Sequence, residues 1–172
     1  MHIPVIIEER KNRLRSFITI HKTSIIVFVL AFIAGVGYYI RTRNLSLLID
    51  ATTGDYFPSD PDAIGILRYV RYIVEHGRLM DVDYMRYYPT GFGVSIGNID
   101  EFSLLTHLIA YFYQFLHFFN NTVTIQYADV IYPAVAFVIA LFFFFLLVRK
   151  AFDWKVALLA SAFLTVIPAY LF

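Results

Sequence analysis

The chain has 172 residues, of which 59% are hydrophobic and 16% charged, with 18 Phe, 13 Tyr, no Cys and a formal net charge of +1. Soluble domains run nearer roughly 45–50% apolar, so this composition excludes a disordered chain, and the absence of Cys excludes a disulfide scaffold. The near-neutral charge, with no basic patch, argues against a nucleic-acid module. What remains is an all-α integral membrane protein.

In chain order, residues 1–22 form a basic N-terminus with Arg10, Lys11, Arg13, Arg15 and Lys22, and Thr23 to Ile40 is an apolar run without a charge. A span needs about 20 predominantly apolar residues. The long basic leader and the missing A-x-A site mark 23–40 as an uncleaved anchor rather than a signal peptide. Further apolar segments run over 102–119, 127–148 and 156–172. The last of these runs into Phe172, and the chain is expected to continue past it.

The positive-inside rule places residues 1–22 in the cytoplasm. The link at 149–155 carries Arg149, Lys150 and Lys155 against Asp153, so it is expected on the same side. That is possible only if one intervening segment does not cross. Segment 102–119 is the one, because it carries His107, Gln114 and His117, and polar groups at mid-bilayer depth are costly. It is expected as an interfacial helix on the outer face. Three spans result (23–40, 127–148 and 156–172), with one external loop over 41–126. Loops of that length are usually functional.

The loop concentrates the charge. It holds nine of the 13 acids and six of the 14 bases of the chain. Within it, Asp60-Pro61-Asp62 reads as a helix start, with Asp60 at the N-cap and Pro61 at the first helical position. The helix is predicted over about 61–76, ending at Gly77, with Ala63, Ile66, Leu67, Val70, Ile73 and Val74 at helical spacing. Asp60 and Asp62 admit two readings: capping, or a carboxylate pair for a hard divalent cation such as Mg²⁺. Asp81-Val82-Asp83 is a D-x-D run, read as solvated loop charge or as metal ligands. Arg86 to Gly93 is a turn-rich aromatic stretch, read also as interfacial anchoring by tyrosines. Asp100-Glu101 is expected to cap the 102–119 helix. His107 and His117 are not at metal-ligand spacing on one helical face. Two N-x-S/T sequons begin at Asn44 and Asn120. Hydrolase, ATPase and zinc motifs are absent.

The segments DAIGILRYVRYIVEHG and RYYPTGF, behind a basic N-terminus and a first span, resemble the N-terminal part of the oligosaccharyltransferase catalytic-subunit family, particularly its archaeal members. The resemblance implies a multi-span GT-C-like bundle whose large external loop contains surface helices. It implies transfer of a glycan from a polyprenyl (dolichyl) phosphate or diphosphate carrier to Asn of N-x-S/T in an acceptor protein, with Mn²⁺ or Mg²⁺ as cofactor. The family places an acid six residues before a polar or basic helix residue. Asp62, six before Arg68, is the first candidate for catalysis and metal binding, and Asp60 the second. Arg68, Arg71 and Arg86 are candidates for the lipid phosphate, with an internal Arg71–Glu75 pair as the competing use of Arg71. Partners so implied are the polyprenyl-linked oligosaccharide, the acceptor, the lipid bilayer and a downstream part of the same enzyme, without which 172 residues would be inactive. Other GT-C enzymes, such as protein O-mannosyltransferases, also carry an early acid. A non-catalytic membrane subunit or scaffold is the alternative from another class.

Overall fold

The computed structural model describes residues 20–58, 60–94 and 103–167, together with Glu8 and Arg13. They are mostly helical. The elements are α1 (Lys22–Thr42), a 3-10 turn (Leu45–Leu48), α2 (Pro61–His76), β1 (Val82–Asp83), β2 (Phe92–Gly93), α3 (Ser103–Phe119), α4 (Ile125–Ala151) and α5 (Trp154–Val166). The expected cap at Asp100-Glu101 and most of the basic N-terminus lie outside the described residues. The chain divides into two compact units, Met1–Arg41 with Ala136–Phe172, and Thr42–Val135.

The first unit is built on apolar helices. At 1.5 Å per residue, α1 with 21 residues and α4 with 27 extend for ~31 Å and ~40 Å, against a hydrocarbon core of about 30 Å. Both are long and apolar enough to cross a membrane. Ile26, Ile33, Leu141, Phe145, Ala157 and Leu158 form the core of this unit. Phe28, Phe32, Phe143 and Phe163 are exposed on its outside. Helices apolar on both faces suit a lipid surround. Gly37 permits the closest approach: a Cβ there would lie 2.8 Å from the Phe137 ring and 3.2 Å from the Thr165 methyl. Arg41, one turn on, folds back to donate to the Gly37 carbonyl at 3.1 Å and lies over the Phe137 ring.

Two boundaries differ from expectation. Helix α4 runs through Arg149 and Lys150 to Ala151, so the link expected over 149–155 shrinks to Phe152 and Asp153. Arg and Lys are good helix formers, and their charge suits a helix C-terminus. Asp153 caps α5 by accepting from the Val156 N–H at 2.8 Å. Of the segment expected to span over 156–172, the described helix covers Trp154–Val166, which is 13 residues. Residues 168–172 lie outside the described residues.

In the second unit, α2 packs on α3. Tyr69, Val70 and Ile73 of α2 share a core with Ile109 and Ala110 of α3 and with Leu79 and Val94 from the connecting segment. The ends of α2 are as predicted. The Asp60 side chain accepts from the Asp62 N–H, Pro61 opens the helix, and Gly77 closes it at φ 75° with its N–H on the Ile73 carbonyl. Strands β1 and β2 pair antiparallel, Val82 opposite Gly93 and Asp83 opposite Phe92. The aromatic stretch from Arg86 onward is the connection between them. Gly91, at φ 77°, brings the chain against Val82; a Cβ there would lie 2.6 Å from the Val82 side chain.

Candidate functional site

The cleft that gathers most of the candidate residues lies along α2. It has a volume of about 380 Å³ and is lined by Pro61, Asp62, Ile64, Gly65, Ile66, Arg68, Tyr69 and Arg86. Asp62, Arg68 and Arg86 are thus brought together. Asp60 and Arg71 are not part of the lining. A second furrow, at Leu47–Asp50 with Phe57 and Pro58, is apolar apart from Asp50. That carboxylate is already occupied by Thr52 and Thr53, with hydroxyl contacts of 2.7–2.8 Å. The same hydrogen bonds, led by the Thr52 N–H, hold its pKa down at about 2.

Asp60 and Asp62 play different parts. One oxygen of Asp60 accepts the Asp62 N–H at 3.2 Å, so Asp60 is a helix cap. The Asp62 side chain is exposed at the cleft mouth, in the first turn of α2, where the helix dipole favours an anion. Among the described residues, no three metal-ligating side chains converge. The lining therefore offers one carboxylate, Asp62, since Asp60 serves as the cap. That fits Mg²⁺ or Mn²⁺, which take one or two carboxylates and complete their shell with water and phosphate.

The D-x-D run is divided by the fold. Asp81 stays at the surface, paired with Arg78 at 3.4 Å. Asp83, read from sequence as solvated loop charge or a metal ligand, is 2% exposed. Its Oδ2 accepts from Arg68 Nη2 and, at 3.0 Å, from the Tyr69 hydroxyl; its Oδ1 accepts the Met85 N–H at 3.0 Å. A buried carboxylate is costly unless its oxygens are satisfied, and here both are. Arg68, a phosphate candidate from sequence, has its charge balanced by Asp83.

Arg86 is the other cation of the cleft, and among the described residues it forms no ion pair. It donates from Nη1 to the Tyr69 hydroxyl oxygen at 3.3 Å, and its guanidinium lies 4.5 Å from the centre of the Phe92 ring. The Tyr69 contact holds its pKa above the ordinary arginine range. Arg71 is exposed and forms no ion pair with Glu75. Of the two histidines in α3, His117 contacts the Val123 carbonyl at 3.2 Å and lies tilted against the Tyr113 ring, and His107 lies beside Tyr111.

Sequence reasoning missed Tyr69, and it read Asp83 without its burial or its partners. Tyr69 falls outside the apolar stripe read from the helical period, and Asp83 meets its partner from 15 residues away. The available signal was an acid between β-forming Val82 and Tyr84. No known protein family and no curated protein matches the chain.

Proposed function

We propose that the chain is the front part of a membrane glycosyltransferase of the oligosaccharyltransferase type, transferring a glycan from a polyprenyl phosphate or diphosphate to Asn of N-x-S/T. The observation that carries this reading is the cleft itself: an exposed acid, Asp62, and a cation without an ion-pair partner among the described residues, Arg86, both line it. A sugar-phosphate donor held through a divalent cation calls for that pair of charges. The sequence resemblance supplies the substrate class. The two long apolar helices support a membrane location, and the proposed topology adds a third span, with the N-terminus in the cytoplasm and the 41–126 loop outside.

In this mechanism Asp62 would hold the divalent cation and would contact the acceptor amide. Asp60 fixes the first turn from which Asp62 projects. Arg86 pairs with a phosphate oxygen of the carrier, a charge-assisted contact. When bound, Mg²⁺ or Mn²⁺ stabilises the charge that collects on the departing phosphate. The amide nitrogen attacks the anomeric carbon opposite the carrier oxygen, the bond from that carbon to the phosphate oxygen breaks with inversion, and the proton lost from the amide N–H is taken up by the released phosphate.

The test is a glycopeptide assay of the complete enzyme with and without added Mn²⁺. Asp62→Asn is expected to abolish metal-dependent transfer while membrane insertion and thermal stability hold. Asp60→Asn, which keeps a capping oxygen, is expected to retain the fold. Normal transfer by Asp62→Asn would remove the assignment.

A further inference from the structure

Within the cleft, three side chains form an ordered chain of donors. Arg86 donates to the Tyr69 oxygen, and Tyr69 donates to Asp83. A tyrosine hydroxyl has a single proton. Because Asp83 takes that proton, the Tyr69 oxygen is left with its lone pairs toward Arg86. Reversing the hydroxyl would remove one bond and point a proton at a cation. Asp83 is itself fixed from two further sides, by Arg68 and by the Met85 N–H, and it is buried. The Phe92 ring, paired opposite Asp83 across the strands, supports the guanidinium from below. Arg86 is thus held at the cleft wall by groups whose own positions are fixed, and its remaining N–H groups have no ion-pair partner among the described residues.

We infer that Tyr69 and Asp83 are positioning residues that set Arg86 to grip a phosphate monoester or diester in this cleft, with Arg68 serving as the counter-charge of Asp83 rather than as a ligand contact. The inference rests on the reading of the cleft as a donor-phosphate site and adds which groups orient its anion contact. Pre-orientation matters because an arginine side chain carries substantial rotamer entropy, and a fixed guanidinium loses less of it on binding.

The experiment measures binding of farnesyl phosphate to the full chain in phosphatidylcholine nanodiscs, with farnesol as the phosphate-free control. Removing a charged hydrogen-bond donor is expected to cost at least about tenfold in affinity, so Arg86→Gln should erase about that much of the preference for the phosphate. Tyr69→Phe, which deletes one oxygen, is expected to lower affinity severalfold. In the Arg86→Gln background it should add nothing, because a residue acting through another is non-additive with it. Phe92→Leu, which withdraws the ring without touching Asp83, should behave in the same way and covers the case of a poorly folding Tyr69→Phe. A full additional loss from Tyr69→Phe or Phe92→Leu in the absence of Arg86, or no loss in its presence, overturns the positioning role and leaves the anion site standing. Unchanged farnesyl phosphate binding by Arg86→Gln overturns the anion site itself, and the positioning role with it.

Discussion

The hydroxyl of Tyr69 donates to Oδ2 of Asp83 at 3.0 Å, and both residues are 2% exposed. This contact, between the middle of α2 and the first strand, ties the helix to the hairpin that carries Arg86. It also fixes which member of the Arg68–Asp83 pair matters more to the fold.

Asp83 is buried, whereas the Arg68 side chain is 32% exposed. Removing Asp83 frees an arginine that can return to water. Removing Arg68 leaves a buried carboxylate without its counter-charge. Arg68→Met is therefore expected to cost about 3 kcal/mol, and Asp83→Asn about 1–2 kcal/mol. Thermal unfolding in detergent micelles should rank the two in that order, and the reverse order would contradict the burial asymmetry.

Asp50 predicts a pH dependence. Its folded pKa of about 2 lies below the ordinary aspartate value of 3.8. A depressed carboxylate contributes its stability above the unfolded pKa and loses it as pH falls through the folded one. The Asp50–Gly54 turn should hold at pH 5 and loosen only as the pH drops from about 4 towards 2. Carbon-13 titration of the Asp50 carboxyl should give a midpoint near 2, moving upward in Thr52→Val.

Two glycines should respond oppositely. Gly91 has a positive φ and no room for a Cβ, so Gly91→Ala is expected to destabilise the β1–β2 hairpin by roughly 1–3 kcal/mol. Gly65 lies within α2 with open space where its Cβ would be. Gly65→Ala should stabilise the helix by roughly 0.5–1 kcal/mol. Because Gly65 lines the cleft, Gly65→Leu should keep the fold and lower farnesyl phosphate binding. Melting curves and the nanodisc assay read the two effects separately.

The absence of native cysteine makes single-cysteine mapping of the proposed topology clean. Thr52→Cys and Asn121→Cys should react with a membrane-impermeant maleimide on intact cells. Phe152→Cys, at an exposed position between α4 and α5, should react only after permeabilisation. Labelling of Phe152→Cys alone in intact cells would invert the orientation.

Local signals in the sequence were strong where the structure is local. Asp60, Pro61 and Gly77 bound α2 because capping and left-handed geometry depend on neighbouring residues. The apolar runs at 23–40 and 127–148 marked α1 and α4 because hydrophobic length is a sum over adjacent positions. What stayed hidden depends on contacts between distant positions. Two-residue strands carry no readable period, so nothing marked Asp83 as inward-facing. Its partners Arg68 and Tyr69 are one strand and one turn away in space but about 15 residues away in sequence. For the same reason Arg68 and Arg86 looked equivalent, although one is neutralised and the other is not. The end of α4 was placed too early because a cluster of cations resembles a loop when its helix-terminal role is not weighed.

That neutralisation also bears on how a ligand would arrive. With Arg68 balanced by Asp83, the cleft wall presents Asp62 and Arg86, one formal charge of each sign. Counted with Arg68 and Asp83, the formal charges at the cleft sum to zero. Long-range electrostatic steering, which makes association rates fall steeply with ionic strength, gains nothing from the net charge of these four residues. Capture would be governed by diffusion and contact, and added salt would change how long an anion stays at Arg86 rather than how often it comes.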